Sequence, residues 1–329
     1  AGKTVSGKNA LRIGLVDRLF PQTNLEQFVF HFIDEIKGLP GRKKEFIKKS
    51  KGMQAFFDNA LIGRLIVFHQ SRENVLKATK GFYPAPLKAL QVVKAGLSLG
   101  RHQALAFEAR AFSELAVTDI SKNLVHVFYL SEKYKKLSLE GAENIKPKLI
   151  ARCGVVGAGI MGGGIAQLLS YKDITTRLKD ITYDAVAKGF QAAYKVFSQA
   201  VKQRKLSKAE ADVKMAKITG AIDFSGFQNV DCVIEAVVED MKIKKQVFKE
   251  VSAIVPVDCI LCTNTSALSV TEMAKAAKDP SRVVGFHFFN PVHRMPLAEI
   301  IQTDMTSKET IVSALRLAKR LSKTPVLVK

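Results

Sequence analysis

The sequence predicts an α/β protein whose C-terminal half is a Rossmann-type, doubly wound parallel sheet and whose N-terminal half is mostly α-helical. Short β-type apolar runs alternate with amphipathic stretches from residue 149 onward, which is typical of parallel strands joined by crossover helices. Before that point, apolar residues recur at spacings of three and four, as helices require. A glycine-rich turn follows the first β-type run, where a doubly wound sheet binds its ligand.

Length and composition indicate more than one globular domain. The chain has 329 residues, whereas single hydrophobic cores usually stop growing at about 250–300 residues. The apolar share of 47% and the charged share of 25% exclude disordered, collagen-like and coiled-coil chains. No apolar run reaches the roughly 18 uninterrupted residues of a membrane span, so no transmembrane span is predicted.

Two breaks divide the chain into three predicted segments. Gly81 and the sequence YPAP at 83–86 interrupt the helical pattern and begin a new helix. The sequence SLEGAENIKPK at 138–148 combines Gly, Asn, Pro and charges just before an apolar run. We therefore predict segments of residues 1–80, 81–148 and 149–329. The opening sequence lacks an initiator Met and a signal pattern, so we expect a piece of a longer protein.

The charge balance predicts an anionic partner. Lys and Arg total 51 against 30 Asp and Glu, a formal net charge of +21. Nucleic acid is not expected, because the densest basic cluster, GRKKEFIKKSK at 41–51, contains one aromatic residue and belongs to no nucleic-acid module. Phosphorylated cofactors or a membrane surface would satisfy the same charge, and composition does not choose between them.

The cysteines predict neither disulfides nor a metal site. All of them lie in apolar runs, where buried, reduced thiols are the usual state. The spacing Cys259-x-x-Cys262 also suits redox or zinc chemistry, but the sequence offers no second ligand pair. We therefore expect buried thiols and no metal.

A GxGxxG motif lies between a predicted strand and a predicted helix. Gly157 permits the tight turn, Gly159 permits close approach of a pyrophosphate, and Gly162 permits close packing of helix and sheet. The helix N-terminus adds backbone amides and a partial positive charge, which suit phosphate. The motif predicts dinucleotide binding by Gly157, Gly159, Ile160, Met161 and Gly162.

Asp180 ends the next predicted strand, 23 residues beyond Gly157. An acid at about that interval holds the ribose hydroxyls of NAD and repels the extra phosphate of NADP. Arg177 and Lys179 weaken that preference. Glycine packing beside an exposed acid at a strand end is the alternative interpretation.

His287 and Glu299 form the predicted catalytic pair. His287 lies at the end of an apolar strand, and after the turn FFNPVHRMP a second strand carries Glu299. A carboxylate that holds one ring nitrogen as a donor leaves the other nitrogen free to remove a hydroxyl proton. We expect His293, within the turn, to lie at the surface, and the remaining histidines to have packing or surface roles.

Other polar residues follow neighbouring strands. Asn264 and Ser266 belong to a TNTS turn, where helix capping is an alternative to cofactor or substrate binding. Glu235, Glu239 and Lys244 follow the preceding strand at the predicted cofactor edge. Two capping boxes are predicted at helix starts. They are Ser207 with Glu210 and Ser269 with Glu272.

Several motifs together resemble the NAD-binding domain of 3-hydroxyacyl-CoA dehydrogenases: GVVGAGIMGGGIAQ, RLKDI, VIEAVVEDMKIKKQVF, TNTSALSV and GFHFFNPVHRMPLAEII. The resemblance spans roughly residues 149 to 329. GKTVSGKNALRIGLVDRLFP is similar to the end of a crotonase-like enoyl-CoA hydratase domain, and YPAPLKALQVVKAGL to its linker helix. The whole chain resembles the multifunctional α-subunits of fatty-acid oxidation complexes.

The resemblance implies NAD-dependent oxidation of 3-hydroxyacyl-CoA to 3-ketoacyl-CoA in fatty-acid β-oxidation. It implies an acyl-CoA substrate, a possible thiolase partner, and a cytoplasmic location, or the mitochondrial matrix if the source is eukaryotic. It assigns His287 as catalytic base and Glu299 as its partner. The implied binding residues are Ser266 and Asn290 for substrate, Asp180 for the adenosine ribose, and Glu239, Lys244 and Asn264 for the nicotinamide side.

Two departures and one alternative accompany this resemblance. The hydratase's catalytic residues would lie upstream of Ala1, and the second wall of the acyl pocket would follow Lys329. We therefore expect no hydratase activity and an incomplete acyl pocket in this piece. The alternative is a non-catalytic dinucleotide-binding or scaffold protein that docks a thiolase. A binder of that kind has no need of the His287–Glu299 pair.

Overall fold

The computed structural model describes residues 5–37, 52–53, 56–57 and 60–329. The chain divides into two compact units, Ala1–Asn123 and Leu124–Lys329. The basic cluster at 41–51 lies outside the described residues. Within the part that the structure describes, no helix is both long enough and apolar enough to cross a membrane.

The first unit is helical, as the periodicity predicts. Lys80 and Gly81, both with positive φ, follow α3, and Pro84 occupies the first turn of α4, so the predicted break at 80–86 is present. Helix α6 crosses the boundary between the units. The helices are α1 (Gly7–Arg12), α2 (Leu25–Lys37), α3 (Leu61–Thr79), α4 (Pro84–Gly96), α5 (Arg101–Ala116) and α6 (Asp119–Lys135).

The second unit contains an eight-stranded sheet with the order β3-β2-β1-β4-β5-β6-β7-β8. Strands β1 to β6 run parallel, β7 runs antiparallel to β6, and β8 runs parallel to β7. The strands are β1 (Arg152–Val156), β2 (Thr175–Lys179), β3 (Ile218–Ala221), β4 (Cys232–Glu235), β5 (Ile260–Thr263), β6 (Val283–Phe288), β7 (Leu297–Ile301) and β8 (Thr324–Val328).

Crossover helices cover both faces of this sheet, so the predicted doubly wound fold is confirmed. The strand order reverses between β1 and β4, and this switch point is where such sheets bind ligands. The helices are α7 (Ile160–Tyr171), α8 (Tyr183–Lys202), α9 (Lys208–Met215), α10 (Met241–Ile254), α11 (Val270–Ala274) and α12 (Lys308–Arg320).

Two clusters of buried side chains lie on the opposite faces of the sheet. Along β1, Cys153 and Val155 belong to one cluster and Val156 to the other, as the alternation of side chains in a strand requires. The cysteines are buried and free, as predicted. Burial raises the pKa of the Cys153 and Cys259 thiols, which keeps both protonated in the core.

Residues 137–148 contain no helix or strand and attach to α12. The Lys148 amide donates to Ser313 Oγ at 2.8 Å, and Lys319 Nζ donates to the Leu137 carbonyl at 2.6 Å. The segment that the sequence analysis interprets as a break between two predicted segments is irregular, and it packs within the second unit.

One of the two predicted capping boxes is complete. At α9, the Ser207 hydroxyl accepts from the Glu210 amide while the Glu210 carboxylate accepts from the Ser207 amide. At α11 the prediction is wrong in part. The Ser269 hydroxyl caps the Glu272 amide, but the Glu272 carboxylate instead binds the ammonium groups of Lys245 and Lys275.

We expect Gly162→Ala to destabilise the second unit and Gly159→Ala to leave its stability nearly unchanged. A Cβ at position 162 would lie 1.7 Å from the Gly157 carbonyl oxygen, whereas a Cβ at position 159 has nothing within 4 Å. Overpacking of this kind costs roughly 1–3 kcal/mol or more. Chemical denaturation measures the free energy of unfolding of both variants. Equal stability of the two would contradict the close packing at Gly162.

Candidate active site

The glycine loop forms an open cradle between β1 and α7. Gly157 has φ +100°, and a Cβ there would meet the Ala236 carbonyl at 2.5 Å. No side chain caps α7 at its N-cap Gly159, and the space beside Gly159 is clear. Uncapped helix amides and an open backbone fit the phosphates of a dinucleotide. Ile160 is exposed and Met161 is half-buried at the start of the helix.

Asp180 lies against this loop. One carboxylate oxygen accepts from the Ala158 amide at 2.6 Å, and the other accepts from the Ile181 amide at 2.7 Å. The acid is therefore fixed beside the cradle, where the ribose of a dinucleotide would lie.

The two cations near Asp180 are engaged by the segment after β3. Arg177 donates to the Ser225 carbonyl at 3.0 Å and to its hydroxyl at 2.9 Å. The Lys179 ammonium lies 4.6 Å from the centre of the Phe224 ring. Both cations are therefore engaged by the segment after β3.

The predicted imidazole–carboxylate contact is present. His287 and Glu299 are paired across β6 and β7, and His287 Nδ1 lies 2.8 Å from Glu299 Oε2. The side chains are 16% and 35% exposed, so both are partly open to solvent. An ionised carboxylate only accepts, so a neutral imidazole in this contact carries its hydrogen on Nδ1 and its lone pair on Nε2. This arrangement provides a general base.

A buried ion pair lies at the end of β4. Lys244 and Glu235 are each 1% exposed, and Lys244 Nζ donates to Glu235 Oε1 at 2.7 Å. The same carboxylate accepts from the Val237 amide and from the Thr263 hydroxyl. Lys244 Nζ also lies 3.2 Å from Glu239 Oε2. The pair thus joins β4, β5 and α10.

Glu239 connects that pair to the turn after β5. Its Oε1 accepts from the Thr265 hydroxyl at 2.5 Å and from the Ser266 amide at 3.0 Å. Burial would raise the pKa of Glu239, but these hydrogen bonds and the Lys244 charge outweigh it and lower the pKa below its ordinary value. Glu239 is therefore ionised at neutral pH, and Ser266 lies exposed beside it.

Asn264 links three strand ends. Its backbone amide donates to the Glu235 carbonyl at 2.8 Å, and its side-chain oxygen accepts from the Phe288 amide at 2.9 Å. Asn290 lies two residues beyond β6 and is exposed. The predicted site residues other than Glu299 therefore lie at the carboxyl edge of the sheet. They follow strands β1, β2, β4, β5 and β6, except His287, which is the penultimate residue of β6.

A comparison with known families agrees with this geometry. Residues 152–329 match the sequence model of the 3-hydroxyacyl-CoA dehydrogenase NAD-binding domain. The chain belongs to the 3-hydroxyacyl-CoA dehydrogenase family. The predicted family and its NAD cofactor are thereby confirmed.

Curated relatives match over the full length of the chain. A fatty acid oxidation complex subunit alpha from Vibrio vulnificus is 37% identical over 329 residues, and one from Idiomarina loihiensis is 38% identical. The chain covers 45% and 46% of these proteins, so it spans about half the length of the relatives it matches.

Solved structures of dehydrogenases match somewhat more than half of the chain. A (S)-3-hydroxybutyryl-CoA dehydrogenase from Ralstonia eutropha is 35% identical with a TM-score of 0.54, over 55% of this chain and 64% of that one. The dehydrogenase part of a multifunctional enzyme from C. elegans is 30% identical with a TM-score of 0.54, over 61% of this chain and 47% of that one.

The sequence places Glu235 at the predicted cofactor edge but gives it no binding role in this dehydrogenase-family chain. Its sequence signal is an acid that ends an apolar run, with a lysine nine residues later on the following helix. A charged residue in such a run needs a buried partner. Four lysines follow on the next helix, and the structure shows that Lys244 is the partner.

We expect Lys244→Met to destabilise the second unit by about 3–5 kcal/mol, because it leaves the Glu235 carboxylate buried without its cation. Adding Glu235→Gln should restore part of the lost stability. The double variant should therefore lose less free energy of unfolding than the two single variants lose together. Urea denaturation of the three variants measures this, and additive losses would contradict the direct coupling.

Proposed function

We propose that this chain carries the dehydrogenase centre of an enzyme that oxidises 3-hydroxyacyl-CoA to 3-ketoacyl-CoA with NAD. The observation that carries the proposal is the His287–Glu299 contact at 2.8 Å, located at the same sheet edge as the glycine loop and Asp180. Family membership supplies the substrate class and the cofactor.

The proton step belongs to His287. Its Nε2 lone pair removes the proton of the 3-hydroxyl, and the ring becomes an imidazolium. Glu299 stabilises that charge through the Nδ1–H hydrogen bond and keeps the ring in the orientation that the reaction needs. Ser266 and Asn290, both exposed at this edge, are proposed to hold the substrate oxygen.

The hydride leaves the carbon that bears this hydroxyl group. When bound, NAD accepts that hydride on its nicotinamide ring. The chain's own part is to hold the dinucleotide. We assign the phosphates to the loop of Gly157, Gly159, Ile160, Met161 and Gly162, the adenosine ribose to Asp180, and the nicotinamide side to Glu239, Lys244 and Asn264.

A non-catalytic dinucleotide binder is the second candidate. It would need the glycine loop and Asp180 but not a general base. Since a half-buried imidazole is held by a carboxylate across two strands, the geometry favours the enzyme.

The context of the whole protein is also proposed from its relatives. We propose that residues 1–80 come from the end of a crotonase-like hydratase domain, that 81–148 link it to the dehydrogenase, and that 149–329 form the NAD-binding domain. The bacterial relatives favour a cytoplasmic location.

We expect NAD(H) to bind more tightly than NADP(H), because the Asp180 carboxylate accepts ribose hydroxyls and repels a phosphate. Calorimetric titration of both dinucleotides measures the preference. Asp180→Ser should reduce the difference between the NAD(H) and NADP(H) affinities. Thermal unfolding of that variant shows whether the loop stays folded. Equal or tighter NADP(H) binding by the unaltered chain would indicate that Arg177 or Lys179 dominates instead.

We expect His287→Gln to lower turnover of 3-hydroxyacyl-CoA by about 100- to 10,000-fold, the usual contribution of a general base, with little change in NADH affinity. Glu299→Gln should also lower turnover, and the double variant should lose less than the two losses multiplied, because both residues serve one proton transfer. The assay uses the longest available form of the protein. Fully multiplicative losses would assign Glu299 to folding.

We propose a thiolase subunit as the partner of the complete protein. Co-purification of an untagged thiolase with the tagged complete protein tests this. A thiolase that elutes separately at micromolar concentrations of both would argue against the partnership.

A further inference from the structure

Three charged side chains near the end of β4 form a cluster whose charges do not balance. Lys244 Nζ lies 2.7 Å from Glu235 Oε1 and 3.2 Å from Glu239 Oε2, so one ammonium group faces two carboxylates. The neighbouring Lys245 instead binds Glu272. In the part of the chain that the structure describes, no other cationic side chain forms an ion pair with either carboxylate of the cluster. The cluster therefore has a net charge of −1.

The excess charge lies on the open side of this cluster. Glu235 and Lys244 are buried, and Glu235 also accepts from the Val237 amide at 2.7 Å and from the Thr263 hydroxyl at 2.6 Å. The side chain of Glu239 is 42% exposed. Burial would raise the pKa of Glu239, but its hydrogen bonds and the charge of Lys244 keep the pKa below its ordinary value. The pairing of Glu235 with Lys244 thus leaves Glu239 as the uncompensated anion.

The strand order places this anion between the glycine loop and the proposed base. Strand β4 lies beside β1, which leads into the loop, and β5 separates β4 from β6, which carries His287. The Ala236 amide donates to the Val156 carbonyl at 2.7 Å, and Glu239 Oε1 accepts from the Ser266 amide after β5 at 3.0 Å. A coenzyme whose phosphates lie at the loop and whose reactive ring reaches His287 must therefore extend across the ends of β4 and β5, past Glu239.

The two states of the coenzyme differ in charge at that ring. The nicotinamide ring is cationic in NAD and neutral in NADH, because a transferred hydride brings a pair of electrons with its hydrogen nucleus. A fixed negative charge stabilises the cation and has little effect on the neutral ring. The difference is larger where protein and coenzyme exclude water, since a lower dielectric strengthens the interaction.

We infer that the net negative charge of this cluster favours binding of NAD relative to NADH, an inference that rests on the proposed function for the placement of the coenzyme. Glu235 is a positioning residue: it is buried, and it binds the ammonium group that would otherwise neutralise Glu239. Once the ring has accepted the hydride, the cluster no longer stabilises it. The charge therefore promotes release of NADH after the hydride transfer.

Glu235→Gln tests the inference, because it keeps the shape of the side chain and leaves Lys244 to neutralise Glu239. We expect the ratio of the Kd for NAD to the Kd for NADH to rise by about three- to tenfold, the effect of one unit charge that water partly screens. Fluorescence titration with NADH, followed by its displacement with NAD, measures both constants on the same protein. A loss of folding stability alone would change both constants together and leave their ratio constant.

Glu239→Gln removes the excess charge itself at a partly exposed position, where the fold tolerates the change more readily. It leaves the pair of Glu235 and Lys244 balanced, so the ratio should rise by a similar factor. A hydrogen bond lost between Glu239 and a ribose would weaken both forms of the coenzyme alike, so the ratio isolates the charge. An unchanged ratio in both Glu235→Gln and Glu239→Gln would overturn the inference.

Two controls separate the charge of the cluster from the net charge of the protein and from packing. Glu250→Gln removes the same charge from an exposed position further along α10. Thr263→Val removes a hydrogen bond to Glu235 and changes no charge. Both controls should keep the ratio of the unaltered chain. A rise in either control as large as in the cluster variants would also overturn the inference.

Failure of the proposed function appears in a different measurement. It would show as absence of NAD-dependent turnover of 3-hydroxyacyl-CoA by the longest form of the protein. The two coenzyme titrations require no acyl substrate, so the shift in the ratio still supports the inference and its absence still contradicts it.

Discussion

The antiparallel pairing of β6 with β7 is the constraint on which the proposed chemistry depends. His287 and Glu299 are separated by 12 residues, and only a reversal of chain direction within so short a segment makes them direct cross-strand neighbours. The parallel strands β1 to β6 are joined by much longer crossovers, as parallel pairing requires. The position of the proposed base is thus fixed by the backbone pairing of two strands of the sheet.

The buried pair of Glu235 and Lys244 has a comparable role at the cofactor edge. Removing two charges from water is costly, and the pair is tolerated only because hydrogen bonds satisfy its remaining polar atoms. The Val237 amide and the Thr263 hydroxyl do so for Glu235, while Glu239 faces the same ammonium from the more exposed side. The polar groups of β4, β5 and α10 are therefore interdependent, and Asn264 extends this connection to β6.

Much of this architecture could be predicted from local patterns in the sequence. The apolar runs of β1, β2, β4, β5, β6 and β7, the glycine loop, and the meeting of His287 with Glu299 all follow from short segments. Strands β3 and β8 could not be predicted in this way. The former has four residues including Gly220, and the latter contains Pro325, and both residue types weaken strand patterns.

The contact between Asp180 and the Ala158 amide has a consequence for coenzyme engineering. The loop is ordered by folding alone, because Asp180, the proposed ribose ligand, already binds the Ala158 amide beside the proposed phosphate site. Such preorganisation lowers the entropy that binding would otherwise lose. Asp180 thus has two roles: its charge would exclude the extra phosphate of NADP, and its carboxylate holds the Ala158 amide of the loop. A change of coenzyme preference at this position therefore requires a new anchor for the Ala158 amide.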